Sequence, residues 1–161
     1  MESDYHIDLS HKLWAKKTTG IACVNSMTKE HNGCVLTRQF KESIKKDFFK
    51  DFPKRNYARL YALCIYYLIR DKEKKIRRLI ICNDEHFDFV KEYLVSFLNK
   101  KPSFDIISIN EFRISLGRNI KSPADNSARS YRKRGSKRSR WSNGKKLNVI
   151  KITYKMIKEK W

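Results

Sequence analysis

The segment 122–141, SPADNSARSYRKRGSKRSRW, combines residue types that contact nucleic acid with a single acid, Asp125. Arginine pairs in a bidentate manner with phosphate, and aromatic side chains stack on exposed bases. The residues of this segment and just beyond it that we predict to bind nucleic acid are Arg129, Tyr131, Arg132, Lys133, Arg134, Lys137, Arg138, Arg140, Trp141, Lys145 and Lys146. The pattern is equally compatible with a solvated tail, a nuclear localisation cluster, or a segment that orders only within a ribonucleoprotein. Asp125 has a chemical role only if other carboxylates lie beside it.

The charge of the chain points to a polyanionic partner. The 161 residues include 37 Lys and Arg against 17 Asp and Glu, a net charge of +20. From Phe112 to Trp161 there are sixteen Lys and Arg and two acids, so this third of the chain holds fourteen of the twenty net charges. Such an excess opposes compaction unless a polyanion is near. Nucleic acid, DNA or RNA, is therefore the expected partner.

The cysteines and the apolar runs indicate an intracellular protein without a membrane segment. Cys23, Cys34, Cys64 and Cys82 show no metal-binding spacing, and each lies in an apolar run typical of a reduced core thiol. A Cys23–Cys34 disulfide across a hairpin is the alternative. The start of the chain lacks the apolar region of a signal peptide, and no apolar run approaches the ~20 residues of a membrane span. We therefore expect a cytoplasmic or nuclear location.

The first 44 residues are predicted to form three antiparallel strands. In DYHIDLS, residues 4–10, apolar and polar side chains alternate as in a strand. Two further β-prone runs follow, separated by EHNG. Asn32-Gly33 predicts the hairpin turn between them, because both residue types accept positive φ.

The rest of the chain alternates helices and strands. We predict helices over 54–70 and 86–100 and from about Pro123, strands over 76–85 and 104–114, and a further strand within 147–161. The order is three strands and then alternating helices and strands, which predicts an α/β sheet. We place an α/β domain at 1–128 and a basic nucleic-acid-binding extension at 129–161.

This order resembles the ribonuclease H-like fold over roughly residues 5–134. That family has three antiparallel strands, then helix, strand, helix, strand and a last helix, in one mixed sheet. The resemblance rests on three short sequence signatures. They are HIDLS at the first strand, LIICNDEHF at the fourth strand and SPADNSA at the last helix.

The resemblance implies a shared divalent-metal site. In the family, an Asp on the first strand, an Asp ending the fourth strand and an Asp starting the last helix bind metal together. Asp8, Asp84 and Asp125 match these positions, which makes them the implied catalytic residues and metal ligands. The chain departs from the family in its first helix, where residues 53–70 contain no acid and Arg59 stands where an acid is expected. Glu85 or Glu42 would have to substitute, or the metal chemistry has been lost.

The chemistry of such a site follows from its ligands. Mg²⁺ prefers oxygen ligands, and two ions about 4 Å apart can activate a water and stabilise the leaving oxygen of a phosphodiester. A sheet that places the first strand beside the fourth would bring the carboxylates together. Each Asp also has a simpler interpretation. Asp8 could be an exposed strand residue, Asp84 a helix N-cap and Asp125 an acid in a first helical turn.

Two classes of function therefore stay open. The first is a Mg²⁺- or Mn²⁺-dependent nuclease with Asp8, Asp84 and Asp125 as ligands and the basic segment as substrate clamp. The second is a non-catalytic DNA- or RNA-binding protein, or a ribonucleoprotein component, on the same scaffold. A membrane-surface or protein-interaction module has less support, because no basic amphipathic helix is evident.

Overall fold

A five-stranded mixed sheet forms the centre of the protein in a computed structural model that describes residues 1–137, 141–142 and 145–161. Its strands are Ser3–Ser10 (β1), Thr19–Asn25 (β2), His31–Leu36 (β3), Ile76–Ile81 (β4) and Asp105–Ser108 (β5). The strand order is β3-β2-β1-β4-β5. The β1–β2 and β2–β3 pairs are antiparallel, whereas β1–β4 and β4–β5 are parallel. The α/β class with a mixed sheet, predicted from the sequence, is confirmed.

Helices cover both faces of this sheet. The described part of the chain contains six α-helices, which are Arg38–Phe48 (α1), Pro53–Ile69 (α2), Phe87–Leu98 (α3), Ile109–Leu116 (α4), Asp125–Arg134 (α5) and Tyr154–Lys160 (α6). The apolar helix α2 packs on β2, β3 and α3 in the main core, and α5 packs on β1, β2 and β3 with a second, smaller core. Because β1 lies between neighbours on both edges and under helices on both faces, even its polar residues His6 and Asp8 are buried.

Two glycines allow α5 to approach the sheet closely. A Cβ on Gly20 of β2 would collide with the backbone of α5 at Ala128 and Arg132. A Cβ on Gly33 of β3 would lie 2.6 Å from the ring of Tyr131. The missing side chains therefore set the position of α5, and with it the position of Asp125 at the start of that helix.

The hairpin turn between β2 and β3 is not where the sequence predicted it. Asn32 and Gly33 lie within β3, and Lys29, with a φ of 65°, is the turn residue with positive φ. The side chain of Asn25 accepts hydrogen bonds from the backbone N–H groups of Met27 and Thr28 at 2.9 and 3.2 Å. This Asx turn closes the loop before the Asn-Gly pair is reached.

Three helices replace predicted strand, and each begins at a hydroxyl cap. The strand predicted to reach residue 44 ends at Leu36, and Thr37 accepts the N–H of Phe40 to start α1. The strand predicted over 104–114 ends at Ser108, which accepts the N–H of Glu111 and starts α4. The strand predicted within 147–161 is limited to one bridge between Gly33 and Val149, and Thr153 then caps α6. N-cap hydroxyls ended these β-prone runs.

The predicted extension is joined closely to the sheet. The boundary placed between residues 128 and 129 lies inside α5. Trp141–Ser142 (β6) and Lys145–Lys146 (β7) pair as a short antiparallel ladder, and Ile150 N–H donates to the carbonyl of Gly33 at 2.7 Å. Within the described residues, no helix is both long and apolar enough to cross a membrane.

Candidate metal centre

Parallel pairing of β1 with β4 places Asp8 beside the residues that follow β4. Ile7 is in register with Ile81, and the backbone N–H of Cys82 donates to the carbonyl of Ile7 at 3.1 Å. Carboxyl ends of neighbouring parallel strands meet at one edge of a sheet, where loops leave room for a site. Asp8 and Asp84 therefore lie at the same edge.

Asp8, Cys82 and Asp84 form a group that can hold a metal ion. Each offers one ligand atom, and the three atoms all lie within 4.8 Å of one another. Asp8 and Cys82 are buried and Asp84 is half-buried. A buried carboxylate is costly unless a cation or hydrogen bonds compensate its charge. The group thus offers two carboxylates and a thiol to a single ion.

Asp125 lines the same cleft as this group. The cleft has a volume of about 400 Å³. Its lining residues are Asp8, Leu9, Cys82, Asn83, Asp84, Ile109, Asn110, Arg113, Lys121, Ser122 and Asp125. Lys121 Nζ lies 3.2 Å from Asp125 Oδ2, so the third carboxylate is paired with a cation at the rim. The structure therefore brings all three aspartates, from β1, the end of β4 and the start of α5, to one cavity.

The environment of Asp8 disfavours its charge. Burial is the main cause that raises the pKa of Asp8 to about 6, and the negative charges of Asp84 and Asp125 also raise it. Hydrogen bonds from the Cys82 thiol and from the Leu9 N–H lower the pKa in part. The Leu9 N–H donates to Asp8 Oδ1 at 2.8 Å. Burial also raises the pKa of the Cys82 thiol well above its usual value. A bound cation would relieve these clustered acidic groups, because an opposite charge favours their ionised forms.

The structure contradicts the simpler interpretations of Asp8 as an exposed strand residue and of Asp84 as a helix N-cap. Asp8 is 7% exposed, so it is not a solvated strand residue. Asp84 is not the N-cap of α3, because His86 holds that position and makes no side-chain capping bond. Asp125 does lie in the first turn of α5, where an acid complements the helix dipole, and it faces the cleft at the same time.

The first long helix contributes a tyrosine near the site. Arg59 of α2 points elsewhere, with its guanidinium 5.4 Å from the ring centre of Tyr93 and 4.6 Å from that of Trp161. Tyr61, fully buried on the same helix, has its hydroxyl 3.2 Å from Cys82 Sγ. Among the described residues, α2 brings a neutral hydroxyl to the edge of the metal group.

The two glutamates considered as substitutes lie outside the cleft lining. Glu42 is exposed and pairs with Arg38 at 3.0 Å on α1. Glu85 is buried, and burial raises its pKa to about 7. A hydrogen bond with the backbone of Leu13 and the positive charges of Lys12 and Lys41 lower this pKa in part. Among the described residues, the acids that line the cleft are the three aspartates.

Part of the predicted nucleic-acid surface is exposed on and beyond α5. Arg129, Lys133, Arg134, Lys137 and Lys146 are exposed. Arg132 is half-buried, and its Nε donates to Ser10 Oγ at 2.8 Å. Arg138 and Arg140 lie outside the described residues, as do the side chains of Trp141 and Lys145.

Tyr131 is not placed to stack on a base. It is fully buried between α5 and the sheet. Its hydroxyl lies 2.7 Å from His31 Nδ1 and accepts the N–H of Asn148 at 3.1 Å. The reason is its position on the inner face of α5, three residues after Ala128, which is also buried. Tyr131 fixes the last part of the chain against the helix.

Cys82, Arg113 and Lys121 are features of the cleft that sequence reasoning missed. Cys82 was interpreted as a core thiol because it follows an apolar run, although its place two residues before Asp84 was a usable signal. Lys121 lies before α5, four residues ahead of Asp125, and pairs with that carboxylate from outside the helix. Arg113 lines the cleft from α4, whose sequence was interpreted as strand.

No protein-family model, curated protein or solved structure matches the chain.

Proposed function

We propose that this chain is a nucleic-acid-binding protein on a ribonuclease H-like scaffold that cleaves phosphodiesters with a divalent metal ion. The observation that carries this proposal is the convergence of Asp8, Asp84 and Asp125 on one cleft beside a cationic helix. Carboxylates that share a metal ion next to phosphate-binding cations are the elements that phosphodiester hydrolysis needs.

The strand order supports the scaffold. Three antiparallel strands are followed by parallel β4 and β5, and β1 lies beside β4 as the shared metal site requires. The helix that begins at Asp125 packs on the antiparallel part of the sheet. The absence of an acid on α2 is the main departure from the family. Cys82 lines the cleft instead, and the buried hydroxyl of Tyr61 on α2 lies 3.2 Å from its Sγ.

The residues of the cleft have separable roles in the proposed reaction. Asp8 and Asp84 would hold Mg²⁺ or Mn²⁺, and such an ion supplies Lewis-acid polarisation of a phosphate oxygen and an activated water. Lys121 and Arg113 at the cleft offset the charge of the scissile phosphate. The Leu9 N–H holds Asp8 in orientation by a hydrogen bond. The exposed cations of α5 bind the phosphates of the nucleic acid on either side of the cleaved bond.

A cleavage assay tests the proposal directly. Labelled single-stranded DNA, duplex DNA, RNA and a DNA–RNA hybrid are incubated with the protein and Mg²⁺, Mn²⁺ or Zn²⁺. We expect cleavage of at least one substrate, abolished by EDTA and reduced at least about 100-fold by Asp84→Asn, which removes a ligand charge. Asp88→Asn, an exposed acid on α3 outside the cleft lining, is the matched control and should retain activity. Intact substrates throughout would reject the nuclease.

A non-catalytic nucleic-acid-binding protein is the second candidate. The pairing of Asp125 with Lys121, together with the lack of an acid from α2, favours it, because both reduce the negative charge available to metal ions. It predicts that binding to the same substrates is equally tight for wild type and Asp84→Asn and needs no divalent ion. Binding that requires Mg²⁺ or Mn²⁺ and fails in Asp84→Asn would exclude it.

A further inference from the structure

The third member of the metal group is a thiol that the fold holds in place. Cys82 directly follows β4, and its backbone is fixed to β1 by the hydrogen bond to Ile7. Its Sγ is the ligand atom that lies within 4.8 Å of carboxylate oxygens of both Asp8 and Asp84. Cys82 also lines the cleft, so an ion that enters from solvent can reach the sulfur.

The chemistry of these three donors distinguishes between divalent ions. Mg²⁺ takes oxygen ligands in near-octahedral geometry and keeps several waters, so a sulfur among its neighbours contributes little. Soft thiolate ligands select Zn²⁺ and related ions. Zn²⁺ accepts both thiolate and carboxylate ligands, and catalytic Zn²⁺ sites have three protein ligands and an open position for water. Asp8, Cys82 and Asp84 match that count.

Tyr61 is placed to support a sulfur ligand. Its buried hydroxyl is 3.2 Å from Cys82 Sγ, on the inner side of the metal group. A hydroxyl that donates to a coordinated sulfur fixes its orientation, as outer-shell partners do in metal sites. Tyr61 belongs to α2, so the main core itself determines where this hydroxyl lies.

We propose that Cys82 is a ligand in this site and that the cleft therefore prefers a thiophilic divalent cation of the Zn²⁺ type over Mg²⁺. This deepens the proposed function, because it uses the same cleft. On binding, the S–H bond of Cys82 breaks, the proton passes to solvent, and a metal–sulfur bond forms without any change of oxidation state. Tyr61 is a positioning residue that donates to the coordinated sulfur.

Cd²⁺ is a suitable probe, because coordination by a thiolate gives an ultraviolet charge-transfer band whether or not the protein is catalytic. We expect titration of the full chain with Cd²⁺ to produce this band and to saturate at one ion per chain. Cys82→Ser should remove the band and weaken Cd²⁺ and Zn²⁺ binding at least about tenfold, the lower range seen even for outer-shell changes. Because Cys82→Ser retains Cys23, Cys34 and Cys64, it also controls for the other thiols.

Tyr61→Phe tests the positioning role and Mg²⁺ tests the selectivity. We expect Tyr61→Phe to retain the Cd²⁺ band and to lower affinity about 10-fold. Mg²⁺ at millimolar concentration should not displace Cd²⁺ from wild type. Circular dichroism and thermal unfolding verify that each variant is folded. A band that persists in Cys82→Ser, or Cd²⁺ binding without a band in wild type, would overturn the proposal.

The outcome is distinguishable from that of the proposed function. A Cd²⁺ band that depends on Cys82, in a protein that cleaves no nucleic acid, would keep the thiol site and reject the nuclease. Cleavage with Mg²⁺ that is unchanged in Cys82→Ser, with no Cd²⁺ band, would keep the nuclease and reject the thiol ligand.

Discussion

Lys41 places an ammonium group inside the protein. It is 6% exposed, and its Nζ donates to the carbonyl of Ala15 at 2.8 Å and to Thr19 Oγ1 at 2.9 Å. These two bonds connect α1 to the loop after β1 and to the first residue of β2. Burial lowers the pKa of Lys41 to about 8, against a partial compensation by Glu85.

This shift predicts a pH-dependent contribution to stability. The pKa of Lys41 is about 8 in the folded protein and 10.5 in the unfolded chain, so between these values the unfolded state binds more protons. Stability due to Lys41 therefore rises with pH from about 8 to about 10.5. In urea unfolding, the free energy of unfolding of wild type minus that of Lys41→Met should be larger at pH 9.5 than at pH 7.5. For Lys45→Met, a substitution of an exposed lysine, we expect this difference to change less with pH. A difference between wild type and Lys41→Met that is the same at both pH values would contradict the prediction.

Tyr131 gives a second prediction for a single residue. Tyr131→Phe removes the hydroxyl that joins α5 to the backbone of Asn148 and to His31. The loss of such a hydrogen bond costs about 0.5–1.5 kcal/mol, more if its partner is left unsatisfied. Chemical unfolding should show this decrease, whereas Tyr154→Phe, which removes an exposed hydroxyl bonded to Asp47, should change stability by less than about 0.5 kcal/mol. Equal effects would mean that Tyr131 does not fix the last segment.

Among the elements, α5 connects the sheet, the cleft and the basic surface. It starts at Asp125, packs on β1, β2 and β3 along its inner face, and exposes cations along its outer face. Its position depends on the backbone contact at Gly20. The orientation of Asp125 is therefore a property of the whole helix and not of its first turn alone.

Gly20→Ala should displace α5 from the sheet. The new methyl group would collide with backbone at Ala128 and Arg132, which no side-chain rearrangement can relieve. Overpacking of this kind typically costs about 1–3 kcal/mol. We expect a decrease of that size in the free energy of unfolding, measured by denaturant titration. Unchanged stability would show that the helix does not rest on the β2 backbone.

The elements also show what the sequence could predict. Strong periodicity and apolar runs correctly located β1, β4, α2 and α3, because burial dominates in those segments. The starts of α1, α4 and α6 were missed because single hydroxyl caps at Thr37, Ser108 and Thr153 end β-prone runs, and periodicity does not register a cap.

The candidate site was predictable only in part for a related reason. Asp8, Asp84 and Asp125 were expected from the resemblance to a known family, through short signatures at two strands and a helix start. Cys82 and Tyr61 become neighbours through a tertiary contact between α2 and the residue that follows β4. These residues are 21 positions apart, and no local pattern encodes their contact. Tyr131 was misassigned because composition marks the basic segment but does not distinguish the two faces of α5.

At the scale of the whole molecule, a net charge of +20 predicts binding that depends strongly on salt. Each neutralised phosphate contributes about −0.7 to −0.9 to the slope of log K against log salt. Changing Arg129, Lys133, Arg134 and Lys137 to Gln should therefore reduce the magnitude of this slope by up to about 3.6. Fluorescence anisotropy with a labelled oligonucleotide over a salt series measures it.

A charge-matched variant separates a specific surface from net charge. Lys45, Lys46, Lys50 and Lys54 are exposed on and near α1 and at the start of α2. Changing these four to Gln removes the same charge and should leave the slope within about one unit of wild type, because distant exposed charges are screened. The same loss of slope in both variants would mean that the α5 surface has no special role.

If the proposed function holds, the continuity of α5 sets how far a bound nucleic-acid strand extends from the cleft. Asp125 and Lys133 are eight residues apart on one helix, which corresponds to about 12 Å along its axis. Successive nucleotides of a duplex strand advance by about 3.4 Å, so this length matches three to four nucleotides. A polymer that follows the helix would meet Lys133 at a constant offset from the phosphate in the cleft. The shortest oligonucleotide that contacts both the cleft and Lys133 would then be set by the helix length. Inserting one helical turn after Ala128 would lengthen this oligonucleotide by one to two nucleotides.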